Sequence, residues 1–169
     1  MAVLIAYFSR AEENYISGML KYLAVGNTER VAEEIHRLTG AEMFRIEMQK
    51  PYAKGYNACT REAREDQQRN ARPALAGTPE SLDAYDMIYL GYPIYWGTAP
   101  MAVFSFLAKY DFSGKTIRPF CTHEGSGLGG SVSDIRKACP GARVEEGLAV
   151  HGSRVEASEK KIREWVRRS

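Results

Sequence analysis

Three loops in this sequence combine side chains and glycines that suit the binding of an anion and of a flat ring. The first loop, residues 9–26, leaves an apolar segment and enters a helical one. A helix N-terminus presents unpaired backbone N–H groups and the positive end of the helix dipole, so this junction favours a phosphate. The candidate phosphate-binding residues are Ser9, Arg10, Gly26, Asn27 and Thr28.

A simpler interpretation of this junction stays open. Asn27 or Thr28 could cap the helix by itself, with Glu29 or Arg30 in the first turn and no ligand present. The sequence contains no Walker pattern and no G-x-G-x-x-G at this point. The usual fingerprints of nucleoside triphosphate and dinucleotide sites are therefore absent.

The second loop, residues 91–100, carries two large aromatic side chains, Tyr95 and Trp96, in a turn between Pro93 and Gly97. An aromatic face can stack on a planar ring while neighbouring backbone groups bond to the ring edge. We expect one of the two aromatic residues to pack inward. We assign Trp96 to the ring ahead of Tyr95.

The third loop, residues 122–130, has four glycines within its last six residues. Such a backbone bends sharply or wraps a ligand. Because Glu124 disfavours a phosphate, we expect backbone contacts with a flat heterocycle. His123 and Glu124 could form an acid–base pair, although adjacent side chains usually point apart. Ser126 lacks the spacing of a hydrolase nucleophile elbow.

Alternating strand and helix signals must position these loops. The predicted strands are residues 3–8, 41–47, 86–92, 115–121 and 142–150, and the predicted helices are residues 27–38, 57–70, 100–110, 130–139 and 158–168. This alternation predicts right-handed crossovers and a parallel sheet with helices on both faces. Ligands of such sheets bind beyond the carboxyl ends of the strands, where the three loops would meet.

The bulk composition limits the class of partner. The chain has 169 residues, a formal net charge of +2, and basic residues that are interleaved with acidic ones. We expect one domain over residues 1–169, and no nucleic acid partner. No apolar run approaches the ~20 residues of a membrane-spanning helix. The terminal cluster of Arg163, Arg167 and Arg168 is typical of a solvated helix face.

The cysteine pattern bears on the cellular compartment. Cys59, Cys121 and Cys139 are odd in number and widely spaced, so they predict neither a disulfide framework nor a metal cluster. Reduced thiols and the absence of a basic leader fit a cytoplasmic protein. We therefore expect a cytoplasmic location and assign no metal ligand.

Three motifs resemble those of flavodoxins and flavodoxin-like FMN proteins. They are residues 6–10 followed by residues 26–28, residues 91–97, and residues 120–127. The motifs occur in the family's order, and the similarity covers nearly the whole chain. The resemblance implies an α/β fold, a flavodoxin-like three-layer αβα sandwich whose five-stranded parallel sheet has the order 2-1-3-4-5. It also implies FMN as the cofactor.

The same resemblance implies which residues hold FMN. Phosphate contacts are expected from Ser9, Arg10, Gly26, Asn27 and Thr28. Ring or ribityl contacts are expected from Pro93, Ile94, Tyr95, Trp96, Gly97, Thr122, Glu124, Gly125, Ser126 and Gly127. No catalytic side chain is assigned.

The sequence departs from this family pattern in two respects. Residues 11–25 are inserted into the phosphate loop, and their composition predicts an ordered flap near the phosphate or the ring. Flavodoxins that carry low-potential electrons are usually strongly acidic around the flavin, whereas this chain is slightly basic. The pure carrier role is therefore less favoured.

These features favour an FMN-dependent redox protein, an NAD(P)H-dependent reductase of small acceptors such as quinones. The alternative is a single-electron carrier between protein partners. A distant alternative is a phosphate-binding or signalling module on the same fold, although the acidic cluster that such modules place after strand one is missing. A homodimer, with a second subunit beside the ring, also stays open.

Overall fold

The computed structural model describes residues 2–168. The strands are β1 Ala2–Tyr7, β2 Glu12–Ile16, β3 Met19–Leu23, β4 Glu42–Arg45, β5 Tyr85–Pro93, β6 Thr116–His123, β7 Arg143–Val144 and β8 Leu148–His151. The helices are α1 Asn27–Thr39, α2 Tyr56–Gln68, α3 Met101–Lys109, α4 Ser131–Ala138 and α5 Glu159–Arg167. A 3₁₀ segment, Gly152–Ala157, links β8 to α5. Within residues 2–168, no helix has the length and apolar character needed to cross a membrane.

The central sheet is parallel throughout and runs β4-β1-β5-β6-β7, with β8 pairing further along β6. Apart from the inserted β2 and β3, this is the predicted order of a flavodoxin-like sheet. The predicted single strand over residues 142–150 is wrong in detail, because β7 and β8 are separate strands on the same edge of β6. Pro119 lies in β6 opposite this break and has no N–H for the ladder.

Helices cover both faces of the sheet. In β1, Leu4 and Ala6 point into one core with α3 and α4, whereas Ile5 and Tyr7 point into the other with α1 and α5. This alternation follows from the two-residue period of a strand, and both sides are apolar because both are covered. The three-layer αβα sandwich is therefore confirmed.

A buried arginine in the central sheet holds the last helix. Arg118 in β6 donates to the carbonyl oxygens of Trp165 and Arg168, each at 2.6 Å, and to Glu145 at 2.8 Å. Its guanidinium carbon lies 4.4 Å from the centroid of the Trp165 ring. A cation at the C-terminal end of a helix bonds the free carbonyl groups and opposes the negative end of the dipole.

The inserted residues form an antiparallel pair of strands, β2 and β3, here named the hairpin. A two-stranded hairpin is marginal in water by itself. Two long-range bonds fix this one: the Tyr56 N–H donates to Glu13 Oε1 at 2.7 Å, and the Ser17 N–H donates to Glu124 Oε1 at 2.7 Å. The hairpin is thus attached both to the start of α2 and to the end of β6.

Candidate functional site

A cavity of about 420 Å³ lies beyond the carboxyl ends of β5 and β6. This volume is within the range of small-molecule and cofactor sites. Its lining includes eight of the predicted site residues: Arg10, Asn27, Pro93, Ile94, Tyr95, Trp96, Thr122 and Glu124. The other seven predicted site residues do not line it: Ser9, Gly26, Thr28, Gly97, Gly125, Ser126 and Gly127.

The N-terminus of α1 is shaped as a tight backbone cradle. The N-cap residue is Gly26, which has no side chain to bond the helix, so the interpretation of Asn27 or Thr28 as the cap is wrong. Ser9 Oγ instead accepts the Glu29 N–H at 3.0 Å. A Cβ on Gly26 would lie 2.5 Å from the Arg10 carbonyl oxygen and even closer to Ser9 Oγ. Only glycine fits this approach without a shift of the backbone.

Thr28 joins the first loop to the third. Its Oγ1 lies 2.8 Å from Oγ1 of Thr122, and both side chains are buried. This contact links the start of α1 to the end of β6, and the backbone N–H of Thr28 lies in the first turn of α1. A contact of Thr28 with the phosphate stays a prediction. Asn27 lines the cavity from the same turn of α1.

Arg10 lines the cavity, but its guanidinium is engaged by backbone carbonyl groups. It donates to the oxygens of Glu13, Ala53 and Lys54 at 3.0, 3.1 and 2.6 Å. These bonds connect the first loop, the hairpin and the segment before α2. The contact between Arg10 and a phosphate stays a prediction, and the bonds that the structure contains give this side chain a bracing role.

The two aromatic residues of the second loop have different environments. Tyr95 packs inward against Phe8, with ring centroids 6.0 Å apart in an edge-on arrangement, and its burial raises the pKa of its phenol. Trp96 is half exposed; its Nε1 donates to the Thr60 carbonyl at 2.9 Å, and Arg64 stacks 4.7 Å from its ring centroid. As expected, one aromatic residue packs inward while the other remains available at the rim.

The second and third loops are bonded to each other. The Gly130 N–H donates to the Gly97 carbonyl oxygen at 2.8 Å, and Thr98 Oγ1 donates to Asp134 at 2.7 Å. Gly129 has a φ of +54° and a Cβ on it would collide with the Gly97 carbonyl. The glycines of the third loop thus let its backbone lie close to that of the second loop, and they also allow the third loop to bend sharply.

Glu124 makes several contacts within the protein that the family resemblance did not imply. Its carboxylate accepts the Ser17 N–H, the Ser153 hydroxyl at 2.7 Å and the Ser153 N–H at 3.1 Å, and it lies 3.4 Å from His151 Nδ1. It therefore clamps the tip of the hairpin to the segment after β8. A contact of Glu124 with the ring or ribityl chain stays a prediction.

His123 and Glu124 do not form an acid–base pair. His123 Nδ1 accepts the Gly125 N–H at 2.9 Å, and the His123 ring lies 5.2 Å from the ring of His151. Burial, with the neighbouring His151, lowers the pKa of His123. A neutral His123 that accepts at Nδ1 carries its proton on Nε2.

Eight cavity residues are not in the predicted set: Asn14, Tyr15, Tyr56, Cys59, Thr60, Ala63, His123 and Gly152. Four of them repeat at helical spacing along α2, at positions 56, 59, 60 and 63. That spacing marks one face of a helix and could have identified them. Asn14 and Tyr15 come from the hairpin, whose short strands give no clear periodic signal. Burial raises the pKa of the Cys59 thiol, which is consistent with an inert side chain.

A parallel sheet between two helical layers, with a cavity at the carboxyl ends of its strands, defines a doubly wound ligand-binding protein. The sequence model of the flavodoxin family matches residues 18–169. The chain therefore belongs to the flavodoxin family. No curated protein sequence matches it.

Solved structures share this fold over nearly the full length of both chains. A candidate flavoprotein from Bacteroides eggerthii DSM 20697 is 29% identical, with a TM-score of 0.78 over 98% of this chain and 96% of that one. Another, from Bacteroides uniformis ATCC 8492, is 26% identical, with a TM-score of 0.78 over 99% and 98%. A flavoprotein in complex with FMN from Lactobacillus acidophilus NCFM is 20% identical, with a TM-score of 0.66 over 92% and 97%.

Proposed function

We propose that this protein binds FMN in the cavity and acts as an NAD(P)H-dependent reductase of small acceptors. The observation that carries the proposal is that Asn27, at the N-terminus of α1, and the Tyr95–Trp96 turn line one cavity of about 420 Å³. FMN has an anionic phosphate at one end and a flat ring at the other. The start of α1 suits the phosphate, and the aromatic turn suits the ring. Membership of the flavodoxin family and the FMN complex of the Lactobacillus acidophilus protein support the same cofactor.

The chain's own residues would divide the binding as follows. The N–H groups at the start of α1 would receive the phosphate and Asn27 would add a side-chain donor, while Gly26 lets the first loop pack tightly against the helix. Residues 93–97 would hold the ring, to which Trp96 and Tyr95 would contribute aromatic surface. Gly125 and Ser126, which are exposed, and the half-buried Gly127 would offer the backbone of the third loop to the ring edge. Arg10 and Glu124 position the hairpin that forms the opposite wall.

The cofactor, when bound, supplies the exchange of one or two electrons. The chain supplies orientation and shielding. Tyr15 from the hairpin and Tyr56 from α2 both line the cavity, and their rings lie 5.9 Å apart. Their aromatic wall excludes water from one side of the cavity and favours flat acceptors such as quinones. Burial raises the pKa of Tyr56, so its phenol remains a hydrogen-bond donor at neutral pH.

An electron carrier between protein partners is the second candidate. Trp96 favours it, because a half-exposed indole at the rim of the cavity suits contact with a large partner. The net charge of +2 opposes it, since no strong negative field surrounds the site to direct basic partners. The enclosing wall from the hairpin and α2 further favours a small acceptor.

Titration of the apoprotein with FMN and riboflavin tests the cofactor. We expect FMN to bind with a perturbed visible spectrum, and riboflavin, which lacks the phosphate, to bind about 100-fold more weakly. Charge-assisted bonds from several N–H groups to a phosphate are worth roughly 2–3 kcal/mol, which corresponds to that ratio. Equal binding of the two flavins would contradict the α1 cradle, and no binding of either would contradict the cofactor.

Anaerobic mixing of the FMN-loaded protein with NADH or NADPH separates the two functions. We expect the oxidised flavin absorbance to fall within seconds to minutes and to return when a benzoquinone is added. Free FMN at the same concentration is the control. If dithionite reduces the protein but neither nicotinamide does, the reductase proposal is wrong and the carrier function is favoured.

A further inference from the structure

Exposed large apolar side chains are concentrated on one element. Across residues 2–168, they are Tyr15, Met19, Leu20, Tyr22 and Trp96, each between 44% and 75% exposed. Four of the five belong to the hairpin. Single exposed apolar residues are normal, whereas a cluster on one small element marks an interaction surface.

The hairpin presents this surface in a fixed orientation. Glu13 and Ser17 are bonded to α2 and to Glu124, and Ile16 is buried beneath the turn. Tyr15 and Leu20 are directly opposite in the register, and Tyr22 is two residues beyond Leu20. These three side chains therefore share one face of the hairpin. They form a single apolar patch beside the cavity that Tyr15 also lines.

The outer edge of β3 is open in the part of the chain that the structure describes, because β3 pairs there with β2 alone. Its sequence, Met-Leu-Lys-Tyr-Leu, contains no proline and one charge, Lys21. Natural edge strands are usually protected by charge, proline or a bulge. β2, in contrast, is engaged on its outer side, because Arg10 bonds the Glu13 carbonyl and β2 packs on α2.

We propose that a second copy of this chain docks on the hairpin, with the two β3 edges pairing antiparallel about a two-fold axis. An antiparallel edge is complementary to itself under this symmetry, so one surface serves both copies. Pairing Leu20 with Tyr22 of the second copy, and Tyr22 with its Leu20, makes two apolar cross-strand pairs on the patch face. The result is a four-stranded sheet that covers the cavity mouth from one side.

The available area suits a small specific interface. Aromatic side chains bury roughly 150–250 Å² each, so the exposed parts of Tyr15, Leu20 and Tyr22, the three residues on the patch face, amount to about 300 Å² per copy. Two patches give about 600 Å² of apolar surface, and the paired edges with their polar rim add to this, so the interface belongs to the small, transient class below about 1,200 Å².

The same register makes the affinity of the dimer depend on the salt concentration. Lys21 would lie opposite Lys21 of the second copy, on the face away from the patch. Like charges directly opposite each other weaken a strand pair. We therefore expect the dimer to tighten when salt rises from about 0.05 M to about 0.5 M, because screening removes the repulsion.

Sedimentation or light-scattering mass over roughly 1–100 µM of the full chain tests this inference. We expect a mass of twice 18.9 kDa at the upper concentrations. Tyr22→Glu should weaken the dimer at least tenfold, Lys21→Thr should tighten it several-fold at low salt, and Ala138→Glu on the exposed end of α4 should leave it unchanged. Lys21→Thr keeps the test informative if Tyr22→Glu disturbs the hairpin, because a tighter dimer stops at twice the chain mass, whereas association of misfolded chains gives larger species.

A monomeric mass throughout the concentration range would overturn the proposal. A dimer that Tyr22→Glu and Lys21→Thr leave unchanged would overturn the assigned surface. Neither result depends on FMN binding or turnover, so failure here is distinguishable from failure of the proposed function. Circular dichroism of each variant verifies that the sandwich is folded.

Discussion

Replacing Gly26 with alanine should raise the dissociation constant of FMN at least 100-fold. The added Cβ would lie 2.5 Å from the Arg10 carbonyl and would also overlap Ser9 Oγ, so the first loop must move away from α1. That movement breaks the geometry that brings the helix N–H groups to the phosphate. Gly26 has a φ of −66°, which alanine adopts freely, so the effect is one of close packing.

Gly55→Ala is the matched control for this variant. Gly55 is also an N-cap glycine, at the start of α2, with a φ of −69°, and a Cβ added to it would have no heavy atom within 4 Å beyond its chain neighbours. We expect its FMN affinity to equal that of the parent protein and its free energy of unfolding to change by less than about 1 kcal/mol.

Flavin fluorescence titration measures both dissociation constants. Overpacking by one methyl group typically costs about 1–3 kcal/mol, so Gly26→Ala should also lose stability but remain folded by circular dichroism. A folded Gly26→Ala protein that binds FMN as tightly as Gly55→Ala would show that the phosphate lies elsewhere.

Arg118→Met should lower the free energy of unfolding by about 3–5 kcal/mol. The arginine side chain is 2% exposed and bonds Glu145, the Tyr89 hydroxyl and the last carbonyl groups of α5. Methionine keeps much of the apolar stem but leaves these acceptors without their donor. Removing one partner of a buried charged network costs this amount because the remaining groups stay desolvated.

Arg143→Met tests whether the burial of Arg118 causes the large loss of stability expected for Arg118→Met. Arg143 approaches the same carboxylate, with its guanidinium 3.9 Å from Glu145, but its side chain is 80% exposed. An exposed ion pair contributes less than about 1 kcal/mol, so we expect a loss below about 0.5 kcal/mol. Both variants remove one positive charge near Glu145, and therefore differ mainly in burial and in the contacts with α5.

Urea denaturation gives both values, and an unchanged slope would show that the unfolded states are comparable. Arg118→Lys should lose an intermediate amount, because an ammonium keeps the charge but cannot bond several acceptors in a fixed fork. Should Arg118→Met fall within about 1 kcal/mol of Arg143→Met, the guanidinium would not be the anchor of α5.

The dimer interface and the cofactor site would share the hairpin. Tyr15 lines the cavity and also belongs to the exposed apolar patch. Docking of a second copy would therefore narrow access to the ring end of the site. This geometry favours small acceptors over protein partners and is consistent with the proposed reductase.

Local patterns in the sequence determined the alternating strands and helices of the sandwich and the three loops that follow its strands, but neither the hairpin strands nor the break between β7 and β8. Buried parallel strands have continuous apolar runs, and α1 and α3 carry apolar residues at helical spacing, so both signals are readable within a few residues. The aromatic residues of the second loop and the glycines of the third are also local patterns, and they indicated a ligand-binding site. The family assignment followed from these motifs and their order.

The tertiary structure alone decided which polar groups are partners. Glu124 and Ser17 are separated by 107 residues, and Arg10 bonds Lys54 over 44 residues, so no local pattern records these choices. Arg118 is an ordinary charged residue in sequence and becomes the anchor of α5 only because β6 is covered on both faces. Local periodicity indicates which residues are buried. The partner of a buried polar group depends instead on where the fold of the whole chain places the donors and acceptors.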